Sequence, residues 1–247
     1  MKTETINGKK FLCTEDLRYN ESMNLLQAKG TFRFMNVSQK GSFNGSETTY
    51  SAEVIIPKTK ENVELLLHIL ETIMIQSLGD KSKAFARNVF GYTLKSFIYD
   101  VSKDTTDKEL LNEKQIEGRE RLKDKLLIKS STKYDNTKIL WDRRDECGKV
   151  YELNKEQYGK LTGKYQGMGS QGCISLEPYC FENKAVYGYL RSVVLTNLST
   201  VNNEVEIYDP NTGETLSSVP YEESANTGST QVTDATDATD DYDEIPF

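Results

Sequence analysis

The chain has 247 residues and a mass of 28.1 kDa, enough for one large domain or two small ones with a buried core. Its 38 acidic and 31 basic side chains give a net charge of −7, which as an average argues against a nucleic-acid binder. No apolar run approaches the roughly 20 residues of a membrane span, and the start lacks the apolar core of a signal peptide. Four scattered cysteines without CxxC spacing and a single histidine do not form a Cys/His zinc motif, so we expect reduced thiols, no metal and no membrane association.

The charge is distributed unevenly along the chain. Residues 1–200 contain 31 basic and 26 acidic side chains, a net charge of +5. Residues 201–247 contain twelve acidic side chains and no lysine or arginine. This asymmetry is typical of a nucleic-acid-binding body followed by an acidic tail, so the average charge misleads.

The first clear alternation of side chains begins after Gly30. Residues 1–28 show only a weak pattern of apolar and polar residues. Residues 31–37 alternate as a strand, which places Phe32 and Phe34 on one face and Arg33 on the other. The Asn-Gly pair within residues 39–46 predicts a hairpin turn.

A second strand and a helix complete this unit. Residues 50–56 are the predicted strand, which Pro57 ends. Thr59 can cap a helix whose apolar side chains recur at helical spacing as far as Gly79, a plausible stop.

The next part of the chain contains short predicted strands and a charged insertion. Residues 97–101 and 126–130 are predicted strands. The charge-dense stretch between them, near 102–125, is either a solvated helix or a mobile insertion. Trp141 follows in a polar segment.

Two long strands follow a glycine-rich run over residues 165–172. Residues 173–181 and 186–195 are predicted to form a hairpin through residues 182–184. The chain is therefore predicted to be mainly β, with a small, partly closed barrel, one clear helix and insertions. We expect a body over residues 1–201 and a disordered acidic tail over residues 202–247, because the tail has too little apolar surface to fold.

The chain ends in a motif that a merely solubilising tail does not need. An acidic run capped by an apolar end is typical of a docking peptide, whose last ring fills a pocket and whose acids lie along a basic rim. The predicted docking residues are Asp240, Asp241, Asp243, Glu244, Ile245, Pro246 and Phe247. This ending resembles the acidic tip of bacterial single-stranded-DNA-binding proteins, from which it departs by Glu244 and by Tyr242 among the acids. The resemblance implies docking of replication, recombination and repair proteins.

The body resembles phage-encoded single-stranded-DNA-binding proteins of the Enc34-like kind. The matching segments are residues 30–34, the Phe-Asn-Gly turn at 43–45, the strand at 50–58 ending Ile-Pro-Lys, and the second-half segments 165–167 and 178–181. The resemblance implies an OB-type barrel that binds single-stranded DNA without sequence preference, in the cytoplasm of an infected bacterial cell.

Binding of this kind needs aromatic faces for stacking and cations along the backbone path. Several aromatic side chains interleave with basic ones, in groups such as 32–34, 97–99 and 187–191, although most such rings are expected to pack in the core. The predicted DNA-binding residues are Trp141, Arg143, Arg144, Tyr134, Lys133, Tyr165, Lys164, Tyr179, Arg33 and Phe34. Trp141 beside two arginines is the strongest individual candidate.

The sequence gives less support to catalytic, metal-binding and phosphate-loop roles. Asp142, Asp145 and Glu146 lack a second acidic group with a lysine, which a metal-dependent nuclease would need. His68 lies between apolar helix positions, and the glycine-rich run does not join a strand to a helix as a phosphate loop does, so a mobile loop over the groove is expected there. No catalytic residue and no cofactor are predicted.

Two functions of different classes remain. The first is sequence-independent binding of single-stranded DNA, with the tail recruiting partners and competing weakly with DNA. The part of the tail from Glu204 onward, about 44 flexible residues, spans roughly 36 Å, enough to reach the groove of its own body. The second is an acidic-tailed adaptor or decoy whose barrel is only a scaffold. The oligomeric state stays open.

Overall fold

Strands dominate the part of the chain that the computed structural model describes, which is residues 1–43, 46–78, 95–103, 113–162, 167, 169–181, 185–198, 206–208 and 215–217. The strands are β1 (Lys2–Ile6), β2 (Lys9–Cys13), β3 (Leu17–Asn20), β4 (Leu25–Asn36), β5 (Ser42–Phe43), β6 (Ser46–Glu47), β7 (Tyr50–Pro57), β8 (Lys95–Ser96), β9 (Ile98–Asp100), β10 (Lys125–Thr132), β11 (Lys138–Arg143), β12 (Lys149–Glu152), β13 (Gln171–Phe181), β14 (Ala185–Asn197), β15 (Glu206–Tyr208) and β16 (Thr215–Ser217). The helices are α1 (Lys60–Leu78), α2 (Glu113–Arg121), α3 (Arg144–Cys147) and α4 (Lys155–Thr162), with a 3-10 turn at Val101–Lys103.

Five of these strands close into a ring. β4, β7, β10, β14 and β13 pair in that order, and β13 pairs back with β4. All of these pairs are antiparallel except β10 with β14, which run parallel and pair at Ser131 and Tyr189 alone. The mainly β fold with a partly closed, OB-type barrel is therefore confirmed.

The short seam between β10 and β14 is covered by the segment that precedes it in the chain. β9 pairs with β10, and β8 pairs with β14. The backbone of Phe97 links the two sides, because its N–H donates to the carbonyl of Val186 (2.8 Å) and its own carbonyl accepts from the N–H of Lys129 (2.7 Å). The carbonyl of Val186 on β14 and the N–H of Lys129 on β10 thus find their hydrogen-bond partner in Phe97 rather than in each other's strand.

The N-terminal residues are more ordered than their weak pattern predicts. β1, β2 and β3 form an antiparallel meander, and β3 pairs with the first half of β4, which begins at Leu25 rather than at Gly30. β4 is long because its two halves have different neighbours, β3 and β13 first and β7 afterwards. At Gly30 between them, a Cβ would lie 2.1 Å from the carbonyl oxygen of Ile55, so only glycine allows the approach.

The prediction that Phe32 and Phe34 share a face is wrong. The register between β4 and β7 shifts between these residues, which leaves Arg33 as an extra residue in β4. Such a bulge reverses the alternation of side chains. Phe32 is 1% exposed in the core, whereas Phe34 is 41% exposed on the outside.

Helix α1 follows the prediction closely. The backbone N–H of Asn62 donates to Oγ1 of Thr59 (3.2 Å), the cap expected from the sequence. Leu66, Leu70 and Ile73 lie in the main core. The predicted stop at Gly79 lies outside the described residues.

Helix α4 precedes the last two strands of the ring. Asn154 and Gln157 cap it reciprocally, each backbone N–H donating to the other's side-chain oxygen, at 2.9 and 2.8 Å. Tyr158 and Leu161 are fully buried in the main core, so this helix packs directly on the barrel.

The insertion and the tail are described only in part. α2 lies within the predicted charged insertion, and β15 and β16 form a short antiparallel pair within the range predicted as a tail. The docking tip at residues 240–247 lies outside the described residues, so the division at residue 201 stays a prediction. All four cysteines are free thiols, and no helix among the described residues combines the length and apolar character of a membrane span.

Candidate nucleic-acid interface

Five aromatic side chains cluster on and beside the hairpin of β13 and β14. Tyr179 lies directly opposite Tyr187, with ring centroids 5.9 Å apart, and the ring of Phe181 is 6.2 Å from that of Tyr187. Tyr189 lies two residues further along β14, on the same face. Tyr134, just after β10, has its ring 6.5 Å from that of Tyr189. These five side chains are called the aromatic patch.

Four of the five residues of the patch are exposed to solvent: 66% at Tyr134, 42% at Tyr179, 49% at Phe181 and 38% at Tyr187. Tyr189 is half-buried. Single exposed rings are common on proteins, but neighbouring ones mark a surface that binds another apolar face. Partial burial and the neighbouring Tyr187 raise the pKa of Tyr179, so its phenol stays neutral at physiological pH. Tyr179 therefore places no phenolate charge against an anionic ligand.

Arg191 adds a cation at the edge of the aromatic patch. Its guanidinium carbon lies 4.5 Å from the centroid of Tyr189, and its Nη2 donates to Oε2 of Glu177 at 2.6 Å. Nδ2 of Asn136 donates to the Tyr189 hydroxyl at 3.2 Å. The ring of Tyr189 is thus held from two sides, which favours a preformed stacking surface.

A group of charged side chains crosses β4, β7 and β10. Glu53 lies between two cations, with 3.4 Å from its Oε2 to Nη1 of Arg33 and 3.7 Å from its Oε1 to Nζ of Lys129. Phe34 is the direct cross-strand partner of Glu53. The ammonium of Lys129 also lies 4.8 Å from the ring centroid of Tyr99. The charged residues Arg33, Glu53 and Lys129, together with the neighbouring Phe34, are called the charged row.

The aromatic patch and the charged row lie on one outer face of the barrel. Ser131, two residues beyond Lys129 on β10, pairs with Tyr189 of β14, which joins the row to the patch. Sequence neighbours of Glu53, Lys129 and Tyr189 point to the opposite side and are fully buried in the core: Val54, Ile128 and Leu190. This face can accept an extended ligand that carries both flat apolar groups and negative charges.

Trp141, the strongest candidate in the sequence, lies in the core. It belongs to strand β11 rather than to a polar loop, it is 6% exposed, and its ring centroid is 6.4 Å from that of Tyr151. It pairs with Leu195, six residues along β14 from Tyr189, or about 20 Å. Its predicted stacking on a base stays a prediction, and the structure does not bring it to the aromatic patch.

The two arginines after Trp141 are engaged within the same segment. The guanidinium carbon of Arg143 lies 4.8 Å from the indole centroid of Trp141. Arg144 makes a bidentate ion pair with Asp142 and also donates its backbone N–H to Oδ1 at 3.0 Å. These hydrogen bonds lower the pKa of Asp142 against the effect of its partial burial. Their predicted role in DNA binding is untested.

The remaining predicted DNA-binding residues fall into two groups. Lys133 is exposed and immediately precedes Tyr134, so it lies at the edge of the aromatic patch. Lys164 and Tyr165 lie outside the described residues. In the described part of the glycine-rich run, Gly169 donates its N–H to the carbonyl of Phe32 at 2.8 Å and thus lies along β4.

Five side chains of this face are not among the predicted DNA-binding residues: Phe181, Tyr187, Tyr189, Arg191 and Lys129. All of them except Phe181 belong to groups in which aromatic and basic side chains interleave along the sequence. The signal was present, because the predicted three-residue connection at 182–184 sets the register that brings Tyr179 opposite Tyr187. The alternation Tyr187, Tyr189, Arg191 then places three side chains on one face.

Two residues considered for other chemistries, Asp142 and His68, have partners within the protein. Within the described ranges, no three potential metal ligands come together. His68 instead pairs with Glu21, its Nε2 lying 2.6 Å from Oε1, and so ties α1 to the turn before β4.

Known proteins resemble this chain in structure rather than in sequence. No family model and no curated protein matches its sequence. The single-stranded DNA-binding protein from bacteriophage Enc34, solved in complex with single-stranded DNA, is similar with a TM-score of 0.54 at 14% identity, over 77% of this chain and 96% of that one. A second structure of that protein has a TM-score of 0.53 at 12% identity, over 84% and 96%. The gp2.5 protein of bacteriophage T7, also a single-stranded DNA binding protein, has a TM-score of 0.40 at 18% identity, over 74% and 97%, too low to establish a common fold. This chain therefore shares its overall fold with the Enc34 protein.

Proposed function

We propose that this chain binds single-stranded DNA without sequence preference. The observation that carries the proposal is the continuous outer face on which the aromatic patch adjoins the charged row. In OB-type barrels, the second and third strands and the loop between the fourth and fifth strands bind oligonucleotides. In the ring described above these are β7, β10 and the connection between β13 and β14.

The chemistry of the face favours unpaired bases. Bases stack on aromatic rings with about 1–3 kcal/mol each, and every base has a π face, so the interaction is tolerant of sequence. Bases in a duplex are already stacked and paired, and their faces are inaccessible. The neighbouring cations then follow the phosphate backbone, which adds affinity without sequence information.

The fold supports the same proposal. The similar Enc34 protein was solved with single-stranded DNA bound. In this chain, the segment at 30–34 lies on β4 of the ring, and the strand predicted at 50–56 lies on β7. Because identity is 14%, this similarity supports the architecture, and the binding itself rests on the side chains of the outer face.

The biological role is a further part of the proposal. We infer that the protein protects single-stranded DNA during phage replication or recombination inside an infected bacterial cell, without catalysis. The acidic tip from Asp240 to Phe247 would recruit replication, recombination or repair proteins and compete with DNA, as its charge and apolar end favour.

The proposal is tested by measuring affinity of the full chain for poly(dT) by fluorescence anisotropy at several salt concentrations. A duplex of the same length is the control, and single-stranded RNA is a second ligand. Preference for the single strand supports the proposal. Equal or absent binding of both DNA forms would overturn it and favour the adaptor function, in which the barrel is only a scaffold.

A further inference from the structure

The outer face contains the same three-part arrangement twice. On β4 and β7, exposed Phe34 lies directly opposite Glu53, which binds Arg33. On β14 and β13, Tyr189 lies directly opposite Glu177, which binds Arg191 at 2.6 Å. In both places a ring suited to a base adjoins an arginine whose charge is met by a glutamate.

Both glutamates contact cations through the same kind of oxygen atoms that a phosphate presents. A carboxylate and a phosphate accept the same hydrogen bonds from a guanidinium or an ammonium, with the same sign of charge. The side chains of Glu53 and Glu177 are 21% and 27% exposed, so solvent screens them only in part. Glu53 engages two cations, Arg33 and Lys129, and Glu177 engages one.

We propose that Glu53 and Glu177 are built-in competitors of the DNA backbone. The inference rests on the proposed function. Each phosphate that reaches Arg33, Lys129 or Arg191 must displace a carboxylate, so net attraction comes mainly from stacking. The glutamates lower the affinity and reduce its dependence on salt, because cations already neutralised by carboxylates neutralise fewer phosphates, and fewer counterions then leave the DNA on binding.

Three substitutions test this. Glu53→Gln and Glu177→Gln keep the shape and remove the charge at the face. Glu64→Gln is the matched control, because it removes the same charge from an exposed pair with Lys60 on α1, 3.8 Å long and outside the face. Each variant is titrated with poly(dT) over a series of salt concentrations, and its thermal unfolding is recorded.

We expect Glu53→Gln and Glu177→Gln to bind poly(dT) about two- to fivefold more tightly at low salt, the range set by a surface ion pair. The slope of log K against log salt should steepen by about 0.7 for each additional phosphate that the variant neutralises. The steepening should be larger for Glu53→Gln, which removes a carboxylate that two cations contact, than for Glu177→Gln, which removes a carboxylate that one cation contacts. Glu64→Gln should match the wild type.

The inference is overturned if both interface variants bind no more tightly than Glu64→Gln, or bind more weakly. The second result would mean that the glutamates position the cations for DNA. If Glu53→Gln fails to fold because Arg33 and Lys129 then repel each other, Glu177→Gln decides alone. Failure of the proposed function is distinguishable, because in that case the wild type itself does not prefer poly(dT) to the duplex.

Discussion

Tyr179 of β13 lies directly opposite Tyr187 of β14, and their ring centroids are 5.9 Å apart at an interplanar angle of 43°. The contact joins two exposed rings rather than core side chains, and its geometry is set by backbone pairing of the hairpin. A pair of this kind is a preformed surface for a base, because little side-chain entropy is left to lose on binding.

Replacing one ring of this pair is expected to weaken DNA binding without unfolding the protein. Tyr187→Ala should raise the Kd for poly(dT) by about 5- to 150-fold, equivalent to the 1–3 kcal/mol of one stacked base. Tyr187→Phe keeps the ring and should bind like the wild type. Anisotropy titrations measure both. Equal affinity of the alanine variant and the wild type would place the bases elsewhere.

Substitutions at Trp141 distinguish packing in the core from stacking on a DNA base. Because its residue is 6% exposed, Trp141→Ala should lower the free energy of unfolding by about 3–5 kcal/mol. The milder Trp141→Phe should stay folded and keep its affinity for poly(dT), as measured by urea unfolding and by anisotropy. A large loss of affinity in a stably folded Trp141→Phe variant would instead support the stacking role predicted from the sequence.

Asp100 links stability to pH. Its side chain is 2% exposed, forms an ion pair with Lys58 (2.6 Å from Oδ2 to Nζ) and accepts a hydrogen bond from Oγ of Ser102 at Oδ1 (2.7 Å). Burial alone would raise its pKa, but the contacts with Lys58 and Ser102 outweigh burial and lower the pKa of Asp100. A lowered folded-state pKa stabilises the protein above the unfolded value of about 3.9, and the stabilisation disappears as the pH falls through the folded value.

Asp100→Asn is therefore expected to lose about 2 kcal/mol of stability at neutral pH, since Lys58 loses its charged partner. The difference from the wild type should shrink as the pH falls below about 4. Urea unfolding over a pH series measures this. A difference that stays constant down to the lowest pH would mean that Lys58 and Asp100 are not energetically coupled.

Deletion of residues 221–247 tests the competition between tail and DNA. These residues contain eight acidic side chains and no basic one, so their removal should tighten binding of poly(dT), most clearly at low salt, where charges are least screened. A chain lacking only Ile245, Pro246 and Phe247 is the control, because it keeps the acids and loses the apolar end. Unchanged or weaker binding by the longer deletion contradicts the competition.

Local sequence was sufficient for features whose contacts are close along the chain. The cap at Thr59, the apolar spacing of α1 and the short connection between β13 and β14 each depend on residues a few positions apart. The docking role of the tail is predicted from its acidic charge and its apolar end. It stays a prediction, because residues 240–247 lie outside the described part of the chain. The asymmetry of charge is likewise a property of the sequence alone.

The tertiary structure decided which side chains face outward. Phe32 and Phe34 differ because a bulge at Arg33 shifts the register against β7, about 20 residues away in sequence. Trp141 is buried because β11 pairs with β14, more than 50 residues later, and alternation cannot reveal that partner. The aromatic patch and the charged row form one face only because β10 and β14 meet at Ser131 and Tyr189. Burial depends on what packs against a strand, and distant segments of the chain supply those neighbours.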